Sequence, residues 1–403
     1  MRILHTADWH MNESLGRVDR RQDVCKALEQ IARYLEEYAI DVLLVAGDLM
    51  SEHSRMEELE TAVGDLRQIL GPFLQRGGTM VAISGNHDSE PFFEMLRQAL
   101  DLVAPGRPRP DGSELTGRLY VAARPRLLKL ADPAGLIVQL VLMPYPTARC
   151  YLRGEAAQYR GVEEKHRAIQ VAFKHVLDEL ERRLDPTLPS VLVSHVHVRG
   201  VQTHSLYRLS EAEDVVFEPS DIPAHWAYVA YGHIHRPQTA IPSASHIRYA
   251  GSIERLDGNE RDDEKSVVFC EIDRAGRVGE PALLPLEATP IYHLEITDPE
   301  RQLPTLAQEH PDAERALVSY RLHWHPDLHD RDALCQAIQG VFPRWYRREF
   351  ENLGRAEGAA HAERLGDPLT TVRAYLQDSL ATHPHRGELL VLAEGLLSEE
   401  GWR

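Results

Sequence analysis

Along the first half of the chain, short uninterrupted apolar runs alternate with longer stretches in which apolar residues return every three or four positions. Residues 3–6, 41–46 and 80–84 are runs of strand length, whereas 18–37, 56–70 and 91–102 carry the period of amphipathic helices. This strand–helix–strand rhythm predicts a sheet with helices packed on its faces. The run Val42-Leu43-Leu44-Val45-Ala46 is apolar at every position, as a strand covered on both faces must be. Further strands are expected at 119–122 and 136–143, and a long amphipathic helix at 162–183. A second set of strands is expected at 190–194, 227–231, 246–250 and 266–272.

The pattern changes where Pro281, Pro285 and Pro290 cluster, and a break is expected over 281–290. Residues 293–346 read as a small α+β unit, with strands near 293–296 and 316–322 and a helix at 331–341. A polar stretch at 349–362, containing Gly354 and Gly358, reads as a linker. Asp367-Pro368 is an N-cap and first-turn pair opening a helix with Leu369, Val372, Leu376 and Leu380 on one face, and a second apolar helix follows at 388–397. These two helices suit either a docking module or packing on their own domain. The domains expected are therefore 1–280, 281–350, a linker at 351–366, and a helical region at 367–403.

Composition narrows the choices. With 403 residues, 43% of them hydrophobic, the chain can bury one large core and a satellite domain. A net charge of −17 excludes a general DNA-coating protein, which needs a positive footprint. It does not exclude a DNA enzyme that holds divalent cations, because carboxylates are what such a site requires. Cys25, Cys150, Cys270 and Cys335 are scattered without a CxxC pair, so buried free thiols are expected rather than a zinc knuckle or a disulfide framework. The N-terminus does not read as a signal peptide, and no run of about 18 apolar residues exists to span a membrane. The cytoplasm is the expected compartment.

Candidate chemistry gathers where the expected strands end. Asp8-Trp9-His10, Gly47-Asp48, Gly85-Asn86-His87-Asp88, Ser194-His195 and Gly232-His233-Ile234-His235 each follow an apolar run. Ligands collect at strand carboxyl ends in α/β sheets, and glycine there allows a tight turn. Among 21 histidines a lone His-x-His means little. Five Asp-, Asn- or His-bearing turns in succession are hard to explain as structure alone. The donors are mixed oxygen and nitrogen with no thiolate, which suits Mn²⁺, Fe²⁺ or Zn²⁺ better than Ca²⁺. Asp48 is the natural bridge, since a carboxylate can hold one ion on each oxygen. Such a pair of ions activates water and clamps an in-line displacement at phosphorus.

The ordered set resembles the calcineurin-like metallophosphoesterases, and within them the branch of DNA break-repair nucleases. The closer likeness rests on His5-Thr6-Ala7-Asp8-Trp9-His10, Val45-Ala46-Gly47-Asp48-Leu49, Ser84-Gly85-Asn86-His87-Asp88, Tyr231-Gly232-His233-Ile234-His235-Arg236 and Tyr249-Ala250-Gly251-Ser252-Ile253-Glu254-Arg255. It spans roughly residues 1–270; the small domain and tail match in layout only. The resemblance implies an α/β fold, a two-sheet sandwich flanked by helices, followed by a small α+β capping domain and C-terminal helices. It implies that Asp8, His10, Asp48 and His235 bind one ion, and that Asp48, Asn86, His195 and His233 bind a second. The ions implied are Mn²⁺ or Mg²⁺. His87 would stay off the metals, stabilise pentavalent phosphorus and protonate the leaving oxygen. Asp88 would either orient His87 or bond its own turn.

Two departures touch no ligand. The family commonly has Leu-Gly directly after Asp-x-His, whereas Met11-Asn12-Glu13-Ser14 intervenes here before Leu15-Gly16; and Ser51 stands where archaeal relatives carry a histidine, with His53 two residues on. His197, His204 and His225 read as supporting or surface histidines. Pro343-Arg344-Trp345-Tyr346-Arg347-Arg348 reads equally as a DNA contact or as a strand with a solvated basic edge. Arg17, Arg20 and Arg21 read as phosphate contacts or as exposed arginines at a helix start.

The function expected is therefore a DNA exonuclease and endonuclease subunit for repair, recombination and replication. The resemblance implies an ATPase partner with long coiled coils; this chain has no phosphate-binding loop of its own, so any ATP dependence must come from that partner. The family further implies a homodimer within a heterotetramer, with helices near 56–70 and 91–102 among the possible surfaces. One alternative keeps the chemistry and changes the substrate, as in a protein phosphatase or cyclic-nucleotide phosphodiesterase. The Asp-Arg-Gly segment and Gly-Asn-His-Glu typical of the phosphatases are absent here. The other alternative is a non-catalytic subunit that bridges DNA ends.

Overall fold

The computed structural model describes residues 1–52, 54–103, 111–114, 116–152, 159–203, 214–221, 223 and 225–354, together with Arg386 and Leu389. His53, His204, the linker from 355 onward and, apart from Leu389, the helices expected at 367–380 and 388–397 lie outside these residues. The chain divides into two compact units. The larger comprises Met1–Leu294, Ala307–Tyr320 and Gln339–Arg348, and the smaller comprises Glu295–Leu306, Arg321–Ile338 and the described part of Glu349–Arg403.

The larger unit is built on two six-stranded sheets. In the first the strand order is Gly276–Leu286, Lys265–Asp273, Arg2–Thr6, Val42–Ala46, Thr79–Ile83, Leu119–Ala122. The last four run parallel, and Lys265–Asp273 pairs antiparallel with both of its neighbours. In the second the order is Gln238–Thr239, Ile247–Tyr249, Tyr228–Gly232, Ser190–His195, Ile137–Met143, Arg126–Ala131. Its four inner strands are parallel and its two edges antiparallel.

Strand periodicity explains how the sheets stack. Successive side chains point to opposite faces. Leu43 and Val45 join a core with Val24, Leu28 and Ile31 of the helix Arg21–Glu37 and Phe73 of the helix Met56–Gln75. Their neighbours Val42, Leu44 and Ala46 face the other way, into a core shared with Leu140, Val191, Val193 and Ala230 of the second sheet. A third core lies between that sheet and the helix Val162–Glu181, through Val141, Leu192, Ile169, Phe173 and Leu177. The layers are helix, sheet, sheet, helix. The all-apolar central strands follow directly, because each is covered twice. Parallel strands also bring their carboxyl ends to one edge, where the sites of such sheets form.

Three sequence expectations need correction. The helix expected at 18–37 begins at Arg21, because Ser14–Leu15 and Val18–Asp19 pair as a small hairpin turning at Gly16, whose φ is +57°. The strand Gly276–Leu286 passes straight through Pro281 and Pro285, where a break was expected. It is an edge strand, so proline costs it no ladder bond on its open side. The strand Arg126–Ala131 was unforeseen, since Arg126 and Lys129 obscure its apolar side. A three-stranded sheet of Ile291–Ile296, Leu317–Trp324 and Trp345–Asn352 and the helix Arg331–Val341 account for the α+β pattern near the end. The four cysteines are free, and Cys25 is half-buried rather than buried. No helix among the described residues is long and apolar enough to cross a membrane.

Arg20, expected at the surface, is fully buried. Its Nε donates to Asp23 Oδ2 at 2.6 Å and its Nη1 donates to the Arg255 carbonyl at 2.6 Å. Arg344 also donates to Asp23 Oδ2. Arg21 instead makes a two-pronged contact with Asp65, both bonds 2.7 Å, and Arg17 lies over the Trp345 ring at 4.6 Å. Burial pushes the Asp23 carboxyl up, but the Arg344 hydrogen bond and the Arg20 charge outweigh it and hold the group below its ordinary value. A folded-state pKa below the unfolded value of about 3.9 gives stability that is complete above that pH and lost as pH falls through the folded pKa. Asp23→Ala should cost about 3–5 kcal/mol at neutral pH, the usual effect of orphaning a buried charge. In urea titrations the difference from the unsubstituted chain should shrink as pH drops below about 4; a difference independent of pH would refute the charge assignment.

Candidate metal centre

The seven expected ligands converge at the facing strand ends of the two sheets. Asp8, His10, Asp48, His195, His233 and His235 are buried, whereas Asn86 is exposed. Donor atoms of Asp8, His10 and His235 lie within 4.8 Å of one another, as do those of Asp8, Asp48 and His195, and those of His10, Asp48 and His87. Asp48 Oδ2 is 3.2 Å from His195 Nε2 and 3.6 Å from His10 Nε2, so it stands between two groups of donors.

The turns that deliver these side chains are bonded to one another. The Asp8 amide donates to the Gly47 carbonyl at 3.0 Å, and the Trp9 and His10 amides share the Asp48 carbonyl at 2.8 and 3.0 Å. The His233 amide donates to Asp8 Oδ1 at 3.0 Å, and the His87 amide donates to Asp48 Oδ1 at 2.8 Å. Asp8, His10, Asp48 and His233 all have positive φ, from 44° to 92°. Non-glycine residues rarely adopt that conformation, and it concentrates where a surrounding network over-determines a functional site. The glycines answer to close packing. A Cβ on Gly85 would lie 2.0 Å from Asp48 Oδ1, one on Gly47 would lie 2.2 Å from His195 Nδ1, and one on Gly232 would lie 2.0 Å from the Ala46 carbonyl.

Of the two places expected for Asp88, the structure shows the bond to its own turn. The carboxylate accepts from the amides of Gly85 at 2.9 Å, Met50 at 2.9 Å and Leu49 at 3.2 Å, tying two ligand-bearing turns together. Burial and the nearby Asp48 charge push it up to about 7. His87 sits at the rim, its side chain 15% exposed, its ring 4.9 Å from that of His10 and its Nδ1 3.8 Å from Glu52 Oε2. Ser51 donates from Oγ to the His10 carbonyl at 3.0 Å.

Several participants left no mark in the sequence. Asp214 Oδ2 lies 2.6 Å from His233 Nε2 and 3.2 Å from His197 Nδ1, and its Oδ1 accepts from the Tyr145 hydroxyl at 2.8 Å. Glu260 Oε1 lies 2.8 Å from His235 Nδ1, and Glu260 Oε2 accepts from the buried Lys265 ammonium at 2.6 Å. Asp214 lies just before the short strand Val216–Phe217 and Glu260 ends the 3₁₀ turn Gly258–Glu260, neither within a motif. Only their burial marks them. His197 is buried in a supporting place as expected, while His225 is half-exposed and stacks on Trp226 at 4.7 Å.

The donor set fits divalent cations. Asn86 Oδ1 is 3.0 Å from His195 Nε2 and 2.9 Å from His233 Nδ1. Two donors each about 2.1 Å from one ion and at right angles are about 3 Å apart. The electrostatics point the same way. Burial pushes Asp8 up and His10 well down. At Asp48 and His195 burial is outweighed by their mutual attraction and hydrogen bond, which hold Asp48 far below the carboxylate range and lift His195 to about 9. Buried carboxylates that must borrow charge from imidazoles are in an environment that a divalent cation would satisfy directly.

The family model for calcineurin-like phosphoesterases matches residues 1–237, and the chain belongs to that family of metal-dependent hydrolases. Among characterised proteins it is similar to SbcD, the component of the nuclease SbcCD, from Bacillus subtilis, with 26% identity over 67% of this chain and 66% of that protein. The SbcD protein of Escherichia coli is 24% identical over 91% of this chain and 90% of its own length. That of Rhodobacter capsulatus is 29% identical over 68% and 66%. The chain thus spans slightly under two thirds of the Bacillus and Rhodobacter relatives and nearly all of the Escherichia one.

Gly85→Ala should destabilise the protein by about 1–3 kcal/mol, since the new methyl meets the backbone as well as the side chain of Asp48. Gly64→Ala is the control. It lies in the helix Met56–Gln75 with nothing within 4 Å of its added Cβ, and should stabilise by about 0.5–1 kcal/mol. Equal effects in chemical denaturation would show that the Gly85 turn is not held against Asp48.

Proposed function

We propose that this chain is the nuclease subunit of an SbcCD-type complex, hydrolysing DNA phosphodiesters as an exonuclease and endonuclease at double-strand breaks and hairpins. The observation that supports the reading most is that donor atoms of Asp8, His10 and His235, and of Asp8, Asp48 and His195, lie within 4.8 Å of one another, with Asn86 Oδ1 3.0 Å from His195 Nε2 and 2.9 Å from His233 Nδ1. Asp8, His10, Asp48 and His235 would hold one cation, and Asp48, Asn86, His195 and His233 would hold the other. Two divalent cations there, Mn²⁺ or Mg²⁺, supply charge neutralisation at the phosphate and an activated water.

The chain's own residues do the rest. Asp88 fixes the turns of Asp48 and Asn86 relative to one another through three backbone amides. The His87 amide is held by Asp48 Oδ1, which sets the loop while leaving the imidazole at the rim. From there His87 meets a bound phosphodiester and delivers a proton to the leaving oxygen. Likeness along most of the chain to a protein named as a subunit of the nuclease SbcCD supports a nuclease substrate and a partner subunit; the partner in this reading is an SbcC-type coiled-coil ATPase, joined by a second copy of this chain in a cytoplasmic heterotetramer. In this reading residues 281–350 contribute contacts to DNA, and the region 367–403 binds the ATPase.

Metal-stripped protein supplied with Mn²⁺ or Mg²⁺ should digest end-labelled linear duplex DNA. His87→Ala should slow release by about 10²–10⁴-fold, the usual contribution of a positioned acid. Cleavage of a small aryl phosphodiester with DNA left intact, even after the ATPase partner is added, would rule out DNA as the substrate while keeping the metal chemistry. No hydrolysis of either, with metals bound, would favour a subunit that only bridges DNA ends.

A further inference from the structure

His195, His233 and His235 each turn one ring nitrogen away from the donor cluster, and each such nitrogen meets an oxygen that can only accept. His195 Nδ1 lies 2.7 Å from the Ala46 carbonyl, His233 Nε2 lies 2.6 Å from Asp214 Oδ2, and His235 Nδ1 lies 2.8 Å from Glu260 Oε1. A carbonyl or carboxylate oxygen draws the ring proton to the nitrogen facing it, which leaves the lone pair on the opposite nitrogen. For His233 the charged Asp214 oxygen at 2.6 Å outcompetes the neutral Asn86 Oδ1, which lies 2.9 Å from Nδ1 on the cluster side, so His233 offers Nδ1; His235 offers Nε2. Two histidines that sit two places apart in Gly-His-Ile-His present opposite ring nitrogens, and a different carboxylate enforces each choice.

Both carboxylates are held as if their position mattered. Asp214 is 5% exposed, with Oδ1 accepting from the Tyr145 hydroxyl at 2.8 Å and from the Val215 amide at 2.8 Å. Glu260 is fully buried, and its Oε2 accepts from Lys265 Nζ at 2.6 Å and from the Leu256 amide at 3.2 Å. Lys265 is itself 2% exposed and also donates to Ser252 Oγ at 2.8 Å and to the His235 carbonyl at 3.0 Å. A buried Lys–Glu pair contributes little net stability compared with apolar residues of the same size. Its geometry has a use if Glu260 must stay charged and fixed against His235. His197, Asp214 and His233 could by composition hold an ion of their own. The 2.6 Å between His233 and Asp214 is instead a charge-assisted hydrogen bond, shorter than the spacing of about 3 Å between two donors on one ion.

We infer that Asp214 and Glu260 are positioning residues that lock His233 and His235 in opposite tautomers, each with its lone pair aimed into the metal cluster. The inference rests on the metal reading above and extends it to residues that touch neither substrate nor ion. Partners of this kind, when removed, cost about 10–100-fold in metal affinity.

Two measurements on the full chain test it. In metal-free protein labelled with ¹⁵N-histidine, at a pH alkaline enough that both rings are neutral, the His233 ring should carry its proton on Nε2 and the His235 ring on Nδ1; finding both rings in one tautomer overturns the inference whether or not metal binds. In calorimetric titration with Mn²⁺, Asp214→Asn should weaken one of two sites by about 10–100-fold and leave the other unchanged. Glu260→Gln is to be made together with Lys265→Met, so that no buried ammonium is left unpaired and the variant folds; it should weaken the other site by a like factor. Variants that bind two ions with unaltered affinity refute the inference. An unsubstituted chain that binds no ion refutes the metal reading instead.

Discussion

Asp8 and Asp48 are buried within reach of the same histidine, His195, and two carboxylates kept out of water in one place must be compensated. Much of the molecule's edge is organised around that requirement. Histidines surround the pair, the two acids titrate in opposite directions, and the surrounding amides point inward at their oxygens. The same concentration of charge that would be a liability in a plain core makes a place for divalent cations, as a metal-dependent phosphoesterase requires. The overall charge of −17 is consistent with this, because the attraction for phosphate is supplied locally by cations rather than by a basic surface.

Support for the site is arranged in layers of decreasing visibility. Nearest are the strand-end residues themselves, in backbone conformations that only a dense network holds. Next come Asp88 and Ser51, which stitch turn to turn through backbone atoms. Farther out are Asp214 and Glu260, each reaching a histidine ring from a segment that carries no motif. Glycines sit where turns pass within contact distance of one another, and at Gly47, Gly85 and Gly232 any side chain would strike a ligand or the backbone beside it.

The family and the approximate site were legible because their signal is local. An apolar run followed by Asp-x-His, Gly-Asp, Gly-Asn-His-Asp or Gly-His-x-His needs only neighbouring residues to be recognised. The doubly covered strands were legible for the same reason, as at 42–46, where apolar residues at every position imply cover on both faces. The hairpin before Arg21 and the edge strands at Arg126–Ala131 and Gly276–Leu286 were not, since edge and hairpin residues are chosen by their surroundings more than by period. Arg20 looked like a surface arginine beside Arg17 and Arg21; only Asp23, the distant Arg255 carbonyl and the neighbouring Glu254 make its burial tolerable.

By itself, then, the sequence determined the strand–helix alternation, the set of strand-end donors and the chemistry those donors permit, because each depends on spacing along the chain. The tertiary structure alone decided that Asp88 binds the backbone of two turns, that Asp48 stands between two groups of donors, and which ring nitrogen each histidine presents. These depend on residues such as Asp214 and His233, or Glu260 and His235, that are separated by 19 and 25 positions and meet only when the strands are stacked. A hydrogen bond has no sequence signature when its partners are brought together by packing, and it is such bonds that turn a set of ligands into an oriented site.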